Sequence, residues 1–175
     1  MLSTFIIDNY ALVRLAMLVG LLIAIVVAAL LVRVTRGRTI AAVIAGIGLA
    51  VVLGLTLTPD TYPLDAVTCN LESVTPFGDD FNIMLFLLPA IFAVVATSKP
   101  VITAASGVLL SAVIEFVQYL NPVFGRRCDI DDWLANGAGT VIGVLLAVAV
   151  IQIMKRVGRG TPPSRDVPET QTVTS

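Results

Sequence analysis

The sequence contains no histidine and few charged residues of either sign. Without histidine, the chain lacks the usual general base near neutral pH and the commonest transition-metal ligand. Ser-His-Asp and Cys-His catalytic arrangements are therefore excluded, and two cysteines are too few for a zinc motif. We expect no cofactor. The net charge of -1 gives no electrostatic basis for binding nucleic acid, so no nucleic-acid partner is expected.

Charged residues make up only 13% of the chain, whereas soluble domains carry about 25%. Hydrophobic residues make up 57%, and most of them lie in five segments: 15–32, 40–57, 81–96, 101–120 and 133–154. Each segment is close to the ~20 residues with which a helix crosses the hydrocarbon. The first thirteen residues carry Asp8 and no basic residue, and the first segment ends in no small-residue cleavage site, so we expect a retained helix rather than a signal peptide. The sequence predicts an all-α, polytopic membrane helix bundle with five transmembrane helices.

The basic residues predict how this bundle is oriented. The connections after the first and third segments, and the start of the tail, carry Arg33, Arg36, Arg38, Lys99, Lys155 and Arg156. The second connection, 58–80, has no lysine or arginine and five acidic residues. Because basic residues stay in the cytoplasm, we expect the N-terminus outside and the C-terminus in the cytoplasm. Arg126 and Arg127 then fall outside, against the rule, which indicates a specific role.

Polar side chains gather near the predicted outer ends of the helices. Glu115 lies five residues before the end of the fourth segment, about 7–8 Å below it, and Gln118 shares its helix face. An ionisable group at this depth usually faces the bundle interior or a wet cavity. Asp132 and Asn136 share a face of the last helix, and we expect Asn136 level with Gln118 or Glu115. The predicted ligand-binding set is Asn82, Glu115, Gln118, Arg126, Asp129, Asp132 and Asn136.

The order of these residues resembles the VanZ-like family of bacterial membrane proteins. The match covers 82–143 and consists of Asn82-x-x-x-Phe86, Glu115-x-x-Gln118, Arg126, Asp129-x-Asp131-Asp132, Asn136-Gly137 and Gly143. Pro89 falls one position later than in the family pattern, and Ala90 stands where glycine is common. The resemblance implies a multi-pass protein of the bacterial plasma membrane. The family's name comes from a protein linked to teicoplanin resistance, so an envelope context is implied but no reaction.

The chain divides into three parts on this reading. Residues 1–38 form an additional N-terminal transmembrane helix, 39–157 a VanZ-like helical membrane domain, and 158–175 a disordered cytoplasmic tail. The tail is rich in proline, threonine, serine and glycine and has no apolar periodicity.

Several roles remain open for Glu115 and Arg126. They are consistent with an internal ion pair that fixes the bundle. They are also consistent with a site for the headgroup of an envelope lipid or lipid-linked cell-wall precursor, in which the arginine binds phosphate or carboxylate. Catalysis is a third possibility, with Glu115 as candidate acid or base on a phosphate-containing lipid. Two further alternatives remain. In one, Mg²⁺ or Ca²⁺ binds to Glu115, Asp129 and Asp132. In the other, the protein is a proton-linked transporter.

Cys69 and Cys128 both fall on the outside in the predicted topology. That compartment permits disulfides. A bond between them would hold the long acidic loop over the polar site. The alternative is two unpaired thiols at the membrane boundary.

Overall fold

The computed structural model describes residues 9–59, 69–70, 80–121 and 128–159. Five long helices account for most of them, and two short strands and the connecting turns make up the rest. In chain order these are α1 (Tyr10–Arg33), α2 (Gly37–Leu57), β1 (Cys69–Asn70), α3 (Asp80–Thr97), α4 (Pro100–Leu120), β2 (Cys128–Asp129) and α5 (Ile130–Arg159). All five helices are long and apolar enough to cross a membrane. The predicted all-α polytopic bundle is confirmed.

Local chemistry explains the short connections. Gly37 is the first residue of α2 and is buried against the end of α1, where a Cβ atom would overlap the backbone carbonyl of Leu31. α3 ends at Thr97, and the next residue, Ser98, has a left-handed φ of 57° and donates its N–H to the Val94 carbonyl. Pro100 then begins α4, a position where its missing N–H costs nothing. These two tight turns force neighbouring helices to run in opposite directions.

The last helix is longer than the apolar segment that predicted it. α5 continues to Arg159, so the predicted tail at 158–175 begins inside a helix. Lys155 and Arg156 favour this extension, because basic side chains interact well with the C-terminal end of a helix dipole. The 30 residues of α5 span about 45 Å at ~1.5 Å per residue. The remainder of the tail, 160–175, lies outside the described residues.

α3 is the central helix and packs most extensively against α5. A Cβ atom at Gly139 would overlap the Ile83 carbonyl oxygen, and one at Gly143 would overlap the Leu87 carbonyl oxygen. These two glycines therefore let the backbones of α3 and α5 approach closely, as their spacing predicts. Around this contact lies the apolar core, in which Ile91 is fully buried.

The small residues of α2 behave differently from those of α5. Gly46, Ala50 and Gly54 share a face that predicts a helix contact, but all three are exposed and no atom approaches the two glycines. That prediction is wrong. The helix contact instead uses Gly48, where an added Cβ would lie 3.0 Å from the Cβ of Pro89 in α3. In lipid both faces of a helix are apolar, so small residues on either face look alike in the sequence.

The bundle has two chemically distinct ends. Both strands lie at one end, where a disulfide joins Cys69 to Cys128, and we call it the disulfide end. The opposite end carries Arg38, Lys99 and Lys155, and we call it the basic end. Every acidic residue that the structure describes belongs to the disulfide end: Asp80, Glu115, Asp129, Asp131 and Asp132. The bundle is therefore strongly polarised along the helix axes.

Candidate functional site

The two strands bring distant parts of the chain together at the disulfide end. Cys69 and Cys128 form a disulfide with Cα atoms 4.5 Å apart, within the range that such bonds require. The strands pair in parallel, and Asn70 lies opposite Asp129. The Asn70 side-chain N–H donates to Asp129 Oδ2 at 3.1 Å. Of the two states that the sequence left open for the cysteines, the structure has the bonded one.

Glu115 is buried, with 9% of its surface exposed. Its Oε2 atom accepts a hydrogen bond of 2.8 Å from the backbone N–H of Asp129. The carboxylate therefore joins α4 to β2, immediately before α5 begins. Its predicted partner Arg126 lies outside the described residues, so the Glu115–Arg126 contact stays a prediction.

Asp129 begins α5. Its Oδ1 atom accepts the N–H of Asp131 at 2.9 Å, which is the hydrogen bond of a helix N-cap. Its other oxygen accepts the bond from Asn70. Both carboxylate oxygens of Asp129 thus accept hydrogen bonds from nearby residues, and its backbone N–H donates to Glu115.

Asn82 and Asp132 connect the starts of α3 and α5. The Asn82 side-chain N–H donates to Asp132 Oδ1 at 2.6 Å, and the pair is partly buried. A hydrogen bond to a carboxylate is stronger than one between neutral groups. The sequence predicts both residues at this end, and the structure brings them into direct contact.

Gln118 and Asn136 are the most deeply buried members of the predicted set, with 5% and 2% of their surfaces exposed. Gln118 donates to the backbone carbonyl of Thr56 at 2.9 Å, and Asn136 donates to Ser111 Oγ at 3.1 Å. Each bond joins two helices, α4 to α2 and α5 to α4. The side-chain oxygens, Gln118 Oε1 and Asn136 Oδ1, are buried and have no hydrogen-bond partner within the described ranges.

Asn136 lies deeper than the sequence predicts. Its partner Ser111 precedes Glu115 by four residues, one helical turn further from the disulfide end. The reason is the start of α5. Because Asp129 contacts Glu115, α5 begins at the depth of Glu115 rather than at the end of α4, and its later residues are displaced inward. Counting residues within one helix cannot detect such an offset between helices.

Two groups of polar residues make contacts that the sequence did not lead us to predict. Ser111 and Thr140 extend the polar contacts inward, and Thr140 Oγ1 donates to the Asn136 carbonyl at 3.0 Å. Their signal was the four-residue spacing from Glu115 and from Asn136. Arg14 and Asp80 were also missed. Arg14 Nε lies 2.6 Å from Asp80 Oδ2, so this ion pair joins the starts of α1 and α3.

The carboxylates that the structure describes are not grouped as a cation site requires. Where the structure describes the chain, no three cysteine, aspartate or glutamate side chains are close enough to hold a metal ion. The alternative in which Glu115, Asp129 and Asp132 bind a divalent ion is therefore not supported. Their oxygens instead accept protein N–H groups.

An apolar groove of about 370 Å³ lies among α2, α3 and α4. Val52, Phe86 and Leu110 line it, and Thr140 reaches it from α5. Val52 precedes Thr56 by four residues, so the groove begins one helical turn below the Gln118–Thr56 bond. The groove thus adjoins the polar residues of the disulfide end.

Five spanning helices with buried polar contacts at one end define an integral, multi-pass membrane protein. A family model described as VanZ/LLP1 matches residues 47–152, which is more than half of the chain. The chain belongs to the VanZ/LLP1 family, and the predicted resemblance is confirmed. All of α1 and the first half of α2 lie outside the matched region. No curated protein and no solved structure shows significant similarity to the chain.

Proposed function

We propose that the disulfide end binds the polar headgroup of an envelope lipid or lipid-linked cell-wall precursor, and thereby alters susceptibility to glycopeptides such as teicoplanin. The buried oxygens of Gln118 and Asn136 carry this proposal. A buried acceptor without a partner costs about 1–3 kcal/mol. Hydroxyl or amide donors of a sugar-peptide headgroup would satisfy both oxygens. The family adds an envelope context.

The anionic part of such a headgroup requires a cation, for which we propose Arg126. It lies two residues before Cys128 in the sequence, and Asp129 of the same strand contacts Glu115. A guanidinium group presents a planar pair of donors that matches phosphate or carboxylate. Asn82, Asp129 and Asp132 would border the headgroup.

The apolar groove is the reason for proposing a lipid rather than a soluble ligand. It starts one turn below Thr56 and continues away from the disulfide end along α2 and α4. An acyl or isoprenoid chain in the groove and a headgroup at the disulfide end would belong to one amphiphile. Binding sites of a few hundred Å³ with apolar walls and few polar groups are typical of such ligands.

We place this protein in the bacterial plasma membrane with the disulfide end outward. Two independent features support that orientation. Disulfides persist in oxidising compartments, which favours the outside for Cys69–Cys128. The positive-inside rule favours the cytoplasm for Arg38, Lys99 and Lys155.

Susceptibility measurements test the cellular effect. Glu115→Gln keeps an oxygen that accepts the Asp129 N–H but removes the charge, and Arg126→Ala removes the cation. We expect both variants to reach wild-type membrane levels and to lose any effect of the chain on the teicoplanin inhibitory concentration. Tyr119→Phe, on the exposed face of α4, is the control and should retain the effect. Unchanged susceptibility in both site variants would exclude the functional site. Reduced membrane levels alone would support the internal ion pair.

Binding is measured separately on the purified chain. Native mass spectrometry with a lipid-linked disaccharide-pentapeptide precursor should show a complex, and Gln118→Met should weaken it roughly tenfold through lost hydrogen bonds. Tyr119→Phe should bind like the wild type. If the wild type releases phosphate from the precursor and Glu115→Gln does not, the site catalyses hydrolysis of the precursor and does not merely bind it. No complex with the precursor or with its isoprenoid phosphate would refute the proposal.

A further inference from the structure

A second cavity lies at the basic end, opposite the proposed headgroup site. It measures about 370 Å³ and lies among the end of α1, the start of α2, the end of α3 and the last turns of α5. Its walls are apolar toward the bundle, where Val95 and Val148 line it. Its rim is polar and includes Arg38, Gln152 and Lys155. The cavity therefore combines an apolar interior with a cationic rim.

The guanidinium group of Arg38 is held in position by α3. Its Nε donates to the Ala96 carbonyl at 2.9 Å and its Nη2 to the Thr97 carbonyl at 3.3 Å. These two bonds use part of its five N–H groups. The remaining ones have no partner within the described residues. Because the side chain is already ordered, binding an anion through these groups costs little additional conformational entropy.

Lys155 contributes the second cation from α5. Its side chain is exposed and forms no ion pair with the residues that the structure describes. The described residues at the basic end include no aspartate or glutamate, because all of them belong to the disulfide end. The positive charge of Arg38 and Lys155 is thus uncompensated by this part of the chain.

Each cation by itself has a structural explanation. Arg38 caps the last carbonyls of α3, and Lys155 interacts favourably with the C-terminal end of α5. Neither explanation accounts for a cavity of this size with both cations on its rim. Basic pockets between transmembrane helices are typical sites for anionic lipid headgroups.

We propose that the basic end binds one anionic phospholipid. Its phosphate lies between the guanidinium of Arg38 and the ammonium of Lys155, and its glycerol and upper acyl chain contact Val95 and Val148. The Gln152 amide is placed on the same rim to bond headgroup hydroxyls. This site does not depend on the proposed function of the disulfide end.

The test compares two phospholipids and inorganic phosphate as ligands, and it compares the full wild-type chain with three variants at Lys155 and Arg156. In neutral detergent, dioleoylphosphatidylglycerol should raise the unfolding temperature, whereas dioleoylphosphatidylcholine and inorganic phosphate should not. Lys155→Gln should weaken the apparent affinity for phosphatidylglycerol about fivefold, as expected for one basic residue near an anionic lipid surface. Lys155→Arg should restore most of it.

Arg156→Gln is the matched control, since it removes the same charge one residue later and Arg156 does not line the cavity. It should bind phosphatidylglycerol like the wild type. If Lys155→Gln and Arg156→Gln weaken phosphatidylglycerol binding equally, the binding depends on general surface charge, and the proposal is overturned. Equal stabilisation by inorganic phosphate would identify an anion site rather than a lipid site. Stabilisation by phosphatidylcholine to the same degree would show that the charge is irrelevant.

Discussion

The disulfide end and the basic end are built from different interactions. At the disulfide end, polar side chains meet one another between helices, and a covalent bond ties the strands. At the basic end, tight turns at Gly37 and Ser98 set the geometry, and Arg38 bonds to backbone carbonyls near the surface. Buried polar groups in a membrane protein must find partners within the protein, whereas surface cations can also interact with water and lipid headgroups. The disulfide end is therefore held together by contacts between side chains and by a covalent bond, and the basic end by tight turns and by contacts with the backbone.

Removing the disulfide should have the largest effect on stability, and it should affect the disulfide end but not the basic end. The bond closes a separation of 59 residues, for which the chain-entropy relation gives about 4 kcal/mol. Cys69→Ser with Cys128→Ser should lower the free energy of unfolding in detergent by about that amount, and reductant should do the same to the wild type. Hydrogen exchange should increase at the start of α5 but stay unchanged at 94–100.

The double serine variant is its own control, because reductant should not affect it further. Equal loss of protection at both ends would contradict the separation between them. A wild type that is insensitive to reductant under unfolding conditions would show that the disulfide does not stabilise the fold.

The contact between α3 and α5 runs between the two ends and should affect both. Gly139→Ala places a methyl group against the Ile83 carbonyl and should cost about 3 kcal/mol by overpacking. Gly137→Ala is the matched control, because its methyl group would meet nothing nearer than Val108 at 3.8 Å. Thermal unfolding should show a large decrease for the first variant and none for the second. Similar unfolding temperatures for both would refute the close approach of the two backbones.

Hydrogen bonds at the two ends should contribute different amounts to the free energy of unfolding. Asn82→Ala removes a partly buried bond to the Asp132 carboxylate and should cost about 1.5 kcal/mol. Arg38→Gln removes two exposed bonds to α3 carbonyls and should cost less. Urea unfolding of the two variants measures this difference. The comparison fails if Arg38→Gln is the more destabilising change.

The smallest effect is expected at the Arg14–Asp80 ion pair. Both side chains are substantially exposed, 54% and 34%, and solvent screens such pairs. Arg14→Gln should leave the unfolding temperature unchanged within error, at low and at high salt. A clear decrease that disappears at high salt would show that this pair, unlike other exposed ones, stabilises the contact between α1 and α3.

The five helices, and the end of the bundle at which the polar side chains gather, could be predicted because lipid is a demanding solvent. It requires ~20 apolar residues for each span, so Glu115 and Asn136 stand out from their neighbours. The relative heights of helices could not be predicted. The start of α5 beside Glu115 is set by tertiary contacts of β2, and no periodicity within α5 encodes it.

The sequence also did not show which face of each helix is buried. In a soluble protein the polar side of a helix identifies its exposed face, but α2 is apolar all round, and its exposed Gly46 resembles its packed Gly48. Ser111 and Thr140 were missed for a related reason, since a hydroxyl in a transmembrane helix can bond to its own backbone. Only the partner helix shows which hydroxyl serves another side chain.

The length of α5 has a consequence for where the chain leaves the membrane. Its 45 Å, estimated at ~1.5 Å per residue, exceeds a hydrocarbon thickness of about 30 Å, and an ordinary tilt of about 20° removes little of the excess. The last residues of α5, including Lys155 and Arg156, therefore lie beyond the acyl chains, at a level where basic side chains can meet lipid headgroups and water.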